Sequence, residues 1–306
     1  QFYSKRKFNY DKSVDGLRQM LWGFFKKIVI ADNCAVYVND IFQNYESYPS
    51  LVLILGASLF AFQIYCDFSG YSDIAIGTAR LFGFNLMQNF SFPYFSRDIA
   101  EFWRRWHISL STWFRDYIYI PLGGSRGRLA LKLRNVFVIF IISGFWHGAN
   151  FTFIAWGLLH ALCFIPLMLV GNNRKHTNSI ALGRYLPTFK EFILIVFTFS
   201  VTTFAWIFFR ADTITHAFDY ITKLFTNPFY DKWDLNLEAT ALEIVFKFIL
   251  LLLVTEWIQR ERQHGLVFTD SGMISKISRR VFYLALVFSI FIFGNFEKTE
   301  FIYFAF

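Results

Sequence analysis

The sequence has few of the features on which soluble enzymes depend. Charged residues make up only 17% of its 306 residues, against about 25% in soluble globular domains. The three cysteines, Cys34, Cys66 and Cys163, lie beside or within apolar stretches and have no CxxC or Cys/His spacing. The string GGSRG (123–127) matches the Gly-x-Ser-x-Gly pattern, but it lies in a basic loop segment, so we do not predict a nucleophile elbow there. There is no phosphate loop or zinc motif. We therefore predict no disulfide framework, no metal site and no permanently bound cofactor.

What the sequence has in abundance is apolar and aromatic side chains. Hydrophobic residues make up 55% of the chain and aromatic residues 22%, with 42 Phe, a composition typical of helices that face lipid. The net charge of +8 is concentrated in short polar segments between apolar runs, which indicates membrane topology and not a nucleic-acid partner. The composition predicts an all-α, multi-pass membrane protein.

Long runs without charged residues locate the expected membrane helices. Residues 47–66, 192–209 and 281–296 contain no Asp, Glu, Lys or Arg, and about 20 such residues cross a bilayer of about 30 Å. The apolar runs 239–255 and 16–31 contain charged residues. The second of these is either a spanning helix with snorkelling lysines or a helix in the membrane interface.

The longest uncharged run, residues 135–173, is too long for one crossing. As a single helix it would extend to nearly twice the bilayer thickness, so it must turn back or break. Gly144 and Gly148, on either side of His147, are the expected positions of irregular backbone.

The segments that flank this run are basic. Segments 125–134 and 172–190 each contain four Lys or Arg residues, and short cytoplasmic loops accumulate such residues. If both segments are cytoplasmic, the run enters the membrane and returns to the same side. A first leg over residues 135–146, about 18 Å of helix, would place His147 near the middle of the membrane.

We find no internal repeat and no low-complexity linker, so residues 1–306 are predicted to form a single membrane domain. The sequence begins at Gln1 without a methionine or a signal peptide. We expect it to be the C-terminal portion of a longer chain.

Segment 68–124 combines aromatic residues with many charged ones, and these charges should face protein, water or the interface. Trp103, Trp106 and Trp113 lie at helical spacing beside two arginines. This pattern is typical of an interfacial helix anchored by aromatic rings.

Three histidines lie in apolar or aromatic surroundings, His107, His147 and His160. A lone histidine in an apolar helix is usually a packing residue, and His160 fits that description. His147 differs because it lies between a tryptophan and a glycine at a predicted break, where a substrate would find space. A neutral histidine is also the usual general base for activating a hydroxyl.

Three segments resemble a known family. The strings IYCDFSGYSDIAIGTARLFGF (64–84), FWRRWHISLSTWFRDYIYIPLGGSRG (102–127) and SGFWHGANFTFIAWGLLH (143–160) are similar to the membrane-bound O-acyltransferase family. They resemble in particular its bacterial branch that acetylates polysaccharides such as alginate. The final residues FIYFAF (301–306) resemble the C-terminal end of that branch.

The resemblance implies a fold, an activity and site residues. The fold is a ring of helices around a central funnel in the bacterial inner membrane. His147 would be the essential histidine and His107 the second active-site histidine. The activity would be transfer of an acetyl group from a cytoplasmic thioester, such as acetyl-coenzyme A, to a polysaccharide, with a periplasmic acetyltransferase as partner. The donor's phosphates would be attracted to a basic rim, comprising Arg126, Arg128, Lys132 and Arg134.

Other functions remain open at this stage. A neighbouring branch that transfers D-alanine to teichoic acid shares the WRRWH and WHG elements. A glycan transporter subunit would also place polar residues in the membrane, but it predicts paired broken helices in inverted halves, and the sequence has one candidate break. A structural scaffold would make both histidines dispensable.

Overall fold

The computed structural model describes residues 1, 3, 6–230, 239–268 and 273–296. Within these ranges the chain is helical and contains no strand. The family-like segment 301–306 lies outside the described residues. The α-helices are α1 (Tyr10–Phe24), α2 (Asp32–Gln43), α3 (Ser50–Leu81), α4 (Ile99–Arg105), α5 (Ile108–Phe114), α6 (Leu129–His147), α7 (Phe151–Leu169), α8 (Phe189–Arg210), α9 (Ile214–Thr226), α10 (Ala239–Ile258) and α11 (Met273–Phe293).

Four helices of the described chain, α3, α6, α7 and α8, are long and apolar enough to cross a membrane. The predicted runs 47–66 and 192–209 are confirmed as α3 and α8, and α3 continues for a further 15 residues, to Leu81. Helices α10 and α11 cover most of the runs 239–255 and 281–296. Both carry three charged residues, and neither is among the four.

Side-chain caps define where several helices begin. The Asn9 side chain accepts a hydrogen bond from the amide of Lys12 at the start of α1. Thr188 and Glu191 form a reciprocal capping box at the start of α8. Such caps satisfy backbone amides that a helix leaves without an internal partner.

The described residues fall into two compact units. The described residues of Gln1–Tyr37, Phe62–Ser91 and Asp234–Ala305 form unit 1, and those of Val38–Ala61 and Phe92–Trp233 form unit 2. The single-domain organisation stays a prediction. Both histidines expected in the active site, and the basic rim, belong to unit 2.

The segment around α4 is packed into unit 2 and does not form one interfacial helix. The backbone breaks between α4 and α5, and Trp106 at the break is buried. Arg105 pairs with the buried Glu101 at 2.9 Å. Of the three tryptophans predicted to anchor an interfacial helix, only Trp113 is an exposed hydrophobic residue, so protein contacts replace most of the expected membrane contacts.

Candidate active site

The uncharged run 135–173 forms a helical hairpin, as its length required. Helix α6 ends at His147 and α7 begins at Phe151. Gly148 lies between them with φ 157° and ψ 158°, a combination that is essentially confined to glycine. Asn150 then caps α7, because its side chain accepts a hydrogen bond from the amide of Thr152 at 3.1 Å.

Gly144 has a different role from the predicted one. It lies inside α6, where an added Cβ would overlap the carbonyl oxygen of Phe153 on α7. Gly157 on α7 makes the same close approach to the carbonyl of Phe140 on α6. Two glycines thus let the two helices pack backbone against backbone, as small residues do in membrane helix pairs.

The first leg of the hairpin is longer than predicted. Helix α6 begins at Leu129 and has 19 residues, equivalent to about 28 Å, whereas the charges at Lys132 and Arg134 had suggested a start at Asn135. The length of the leg therefore no longer indicates that His147 lies near the middle of the membrane. His147 lies at the far end of a helix that is long enough to cross.

His147 is buried in an aromatic cage. Its ring centroid lies 5.0 Å from that of Trp146, 5.2 Å from that of Trp156 and 4.9 Å from that of Phe209. The contributing helices are α6, α7 and α8. The surrounding rings exclude bulk water from one side of the imidazole, a favourable setting for a base that must exchange a proton with a bound substrate.

The structure brings His107 to the same place. His107 is the residue between α4 and α5, with φ 43° and ψ 56°, a left-handed conformation that costs free energy in residues other than glycine. Both histidine rings contact Trp146, with ring centroids 6.0 Å apart for His107 and 5.0 Å apart for His147. Burial lowers the pKa of His107 to about 4, so its ring is neutral at physiological pH.

The four rim residues lie at the opposite end of α6. Arg126 and Arg128 are exposed in the preceding turn, and in the first turns of the helix Lys132 is partly buried and Arg134 is exposed. The Arg134 guanidinium donates to the side chain of Asn135 at 2.9 Å. Lys132 is 15 residues from His147, equivalent to about 22 Å of helix. The rim and the histidines could serve one substrate only if it is elongated.

Sequence reasoning missed the rings of Trp156 on α7 and Phe209 on α8 that contact His147. Trp156 and His160 are four residues apart on α7, and Trp206 and Phe209 are three apart on α8. These spacings place each pair on one face of its helix. The spacing was visible in the sequence, but the identity of the facing helix was not.

Comparison with known proteins places this site in context. The model of the MBOAT, membrane-bound O-acyltransferase family, matches residues 4–209. The chain is 40% identical to the probable alginate O-acetylase of Pseudomonas aeruginosa over 236 residues, covering 76% of this chain and 42% of that protein.

Two further relatives have other named activities. The peptidoglycan O-acetyltransferase of Helicobacter pylori is 39% identical over 209 residues, covering 68% of this chain and 38% of that protein. The teichoic acid D-alanyltransferase of Bacillus subtilis is 29% identical over 218 residues, covering 67% of this chain and 53% of that protein. The chain spans only about half the length of the curated relatives it matches.

Proposed function

Because this chain belongs to the membrane-bound O-acyltransferase family, we propose that it is part of an acetyltransferase in the bacterial inner membrane. The enzyme takes acetyl from a cytoplasmic thioester, such as acetyl-coenzyme A, and passes it toward a polysaccharide of the cell envelope or an exported polysaccharide. The observation that carries the proposal is the convergence of His147 and His107 at the break between two helices of spanning length.

The proposed mechanism follows from the positions of the two rings. An unprotonated His147 accepts the proton of an acceptor hydroxyl as its oxygen attacks the thioester carbon, and returns it to the departing thiolate. General-base help of this kind contributes about 10² to 10⁴ in rate, and positioning in the aromatic cage supplies more. His107, neutral and held in a fixed backbone conformation, orients the acceptor or the carbonyl.

One observation favours acetyl over D-alanyl transfer. Over more than 200 residues, the probable alginate O-acetylase and the peptidoglycan O-acetyltransferase are 40% and 39% identical and the Bacillus D-alanyltransferase is 29% identical, whereas a second D-alanyltransferase reaches 38% only over 111 residues. All of these acceptors are components of bacterial envelopes or exported glycans. We propose a periplasmic acetyltransferase as the partner that completes the transfer, and membrane lipid around the helices.

The test is the acyl content of the envelope glycan in cells that express the complete protein and its variants at matched levels. We expect His147→Ala and His147→Gln to insert normally but to lower transfer by at least about 10², because no proton acceptor remains. The matched control is His176→Gln, in the loop after α7, which should retain full transfer.

The same samples distinguish the alternatives. Mass spectrometry of the released acyl groups identifies acetate or alanine, and alanine would replace the proposed donor by a D-alanyl one. A fully active His147→Gln protein would remove His147 from the mechanism and favour a packing role.

A further inference from the structure

Beside His147 lies a second cluster of polar ring atoms, formed by His160 and Trp156 of α7 and Trp206 of α8. Each of the three side chains is 1% exposed. Their ring centroids are 5.0 Å apart for Trp156 and His160, 5.6 Å for Trp156 and Trp206, and 6.4 Å for His160 and Trp206. The three rings thus form one compact contact group inside unit 2.

A hydrogen bond identifies the tautomer of His160. The indole Nε1 of Trp103 lies 3.3 Å from Nδ1 of His160. An indole N–H can only donate, so Nδ1 must accept and cannot carry a proton. The proton of the neutral imidazole is then on Nε2, and His160 presents an N–H donor on that side.

Three donors in this group lack acceptors. Nε2 of His160, Nε1 of Trp156 and Nε1 of Trp206 are all buried and have no hydrogen-bond partner among the described residues. Native proteins pair the large majority of their buried polar atoms, and an exception calls for a physical reason such as a ligand or a catalytic role. Because all three groups are donors, the matching occupant is an oxygen atom that accepts hydrogen bonds.

The donor group is adjacent to the proposed chemistry. Trp156 contacts His147 at 5.2 Å with the two rings nearly perpendicular. Phe209 contacts His147 at 4.9 Å, Trp156 at 5.2 Å and Trp206 at 5.2 Å. His147 and the three donors therefore belong to one continuous set of packed rings.

We propose that the N–H groups of Trp156, His160 and Trp206 bind the carbonyl oxygen of the acyl thioester and hold the negative charge it acquires during transfer. This inference rests on the proposed acyl transfer. It assigns His160 a role in binding, whereas its sequence context indicated only packing.

The step balances without any further reagent. The acceptor hydroxyl oxygen forms a bond to the carbonyl carbon, its proton moves to His147, and the carbonyl electron pair moves to the oxygen held by the three donors. The carbonyl then reforms as the carbon–sulfur bond breaks, and the thiolate takes the proton from His147. Donors aimed at such an oxygen act most strongly where water is excluded.

The first measurement is acetyl transfer in cells by Trp206→Phe and His160→Phe, which keep an aromatic ring and remove the N–H. We expect each to lower transfer by about 10² to 10³ at matched abundance, the usual effect of losing one such donor. His160→Gln retains an N–H and should lose less. Trp113→Phe makes the same change on the exposed part of α5 and should leave transfer unchanged.

The second measurement separates binding from packing. Membranes that contain the His147→Ala protein are mixed with [1-¹³C]acetyl-coenzyme A, and the carbonyl stretch is followed by isotope-edited infrared spectroscopy. We expect the bound band at lower wavenumber than in water, and a return toward the water value when Trp206→Phe or His160→Phe is added. A merely structural role would alter thermal stability without moving the band.

The outcomes are distinguishable from those of the proposed function. The inference would be overturned if both donor variants transfer acetyl within about twofold of the parent, or if the carbonyl band is unshifted or insensitive to them. A defective His147→Ala protein in the same experiment would still uphold the proposed function. Full transfer by His147→Ala would remove His147 from the mechanism, and an absence of acetyl transfer by the parent protein would overturn the function itself. If a permanently bound water molecule occupied the three donors instead of the carbonyl oxygen, both donor variants would transfer acetyl nearly as well as the parent, and the inference would be overturned.

Discussion

Two buried polar regions of this protein are built on opposite principles. In unit 1, Lys26 contacts Asp73 at 2.6 Å and Ser69 at 2.8 Å, and Lys27 contacts Asp67 at 2.6 Å. In unit 2, the rings around His147 and His160 include three N–H groups without an acceptor in the described chain. The first region pairs its charges within the protein, and the second leaves hydrogen-bonding capacity for something else.

The local backbone accounts for the paired region. Lys26 and Lys27 lie in a π-helical turn, Phe25–Ala31, which follows α1, and such turns widen a helix locally. Gly23 and Gly70 allow the chain before this turn to approach α3 closely, since a Cβ on Gly23 would lie 2.6 Å from the carbonyl oxygen of Gly70. The lysines then meet the carboxylates directly, so their charges are paired within the protein.

The comparison predicts that breaking the paired region damages folding first. We expect Lys26→Met to leave the partly buried carboxylate of Asp73 without its cation, a loss of up to about 3–5 kcal/mol in the free energy of unfolding. The protein should show low abundance in membranes and a strongly lowered melting temperature in detergent. Acetyl transfer per folded molecule should change far less than in the His147 variants.

Two variants control this prediction. Removing both charges in Lys26→Met with Asp73→Asn should restore part of the stability, because no unpaired charge remains. Lys247→Met removes a lysine from an exposed ion pair with Glu243 and should cost no more than about 0.5 kcal/mol. Equal losses for Lys26→Met and Lys247→Met would show that burial of the pair has no structural role.

The site region should respond in the opposite way, and His107 tests this. We expect His107→Ala to remain folded but to transfer acetyl about 10-fold to 10²-fold more slowly. His107→Asn should retain more activity, because asparagine tolerates the left-handed conformation of this position and keeps an amide that can orient a substrate.

The pH profile adds a second criterion. Burial lowers the pKa of His107 to about 4, so its ring gains a proton only as the pH falls toward that value and stays neutral above about pH 5.5. The parent and His107→Asn proteins should therefore have parallel profiles between about pH 5.5 and 8. If the pH profile of the parent has a limb near the ordinary pKa of histidine, and this limb is absent from the profile of His107→Asn, the burial of His107 would be contradicted.

The sequence was sufficient for the hairpin and for the histidine of its turn. An uncharged run of 39 residues between Arg134 and Arg174 had to break, and Gly148 beside His147 marked the position. Helix length was harder to predict, because Lys132 and Arg134 in α6 resemble a loop by charge alone. The ion pairs of Lys26 and Lys27 and the donor cluster join helices distant in sequence, and helical periodicity does not encode such pairings.

The basic rim should produce the smallest effect, because three of its four side chains are exposed, unlike those of the two buried regions. Arg126 and Arg128 are exposed, so their attraction for the anionic phosphates of a thioester donor is weakened by water and salt. Each charge should contribute well under about 1 kcal/mol, and four together about tenfold in affinity.

We therefore expect replacement of Arg126, Arg128, Lys132 and Arg134 by Gln to raise the apparent KM for acetyl-coenzyme A about tenfold with a smaller change in kcat. The parent's KM should rise with ionic strength, and the variant's should rise less.

Lys175→Gln with Lys190→Gln removes two charges from the other basic segment and should leave KM unchanged. Arg134 also hydrogen-bonds Asn135, so Arg126→Gln with Arg128→Gln gives the cleaner measurement. If KM for that pair equals the parent value at low salt, the donor binds elsewhere, and the elongated path from the rim to His147 is wrong.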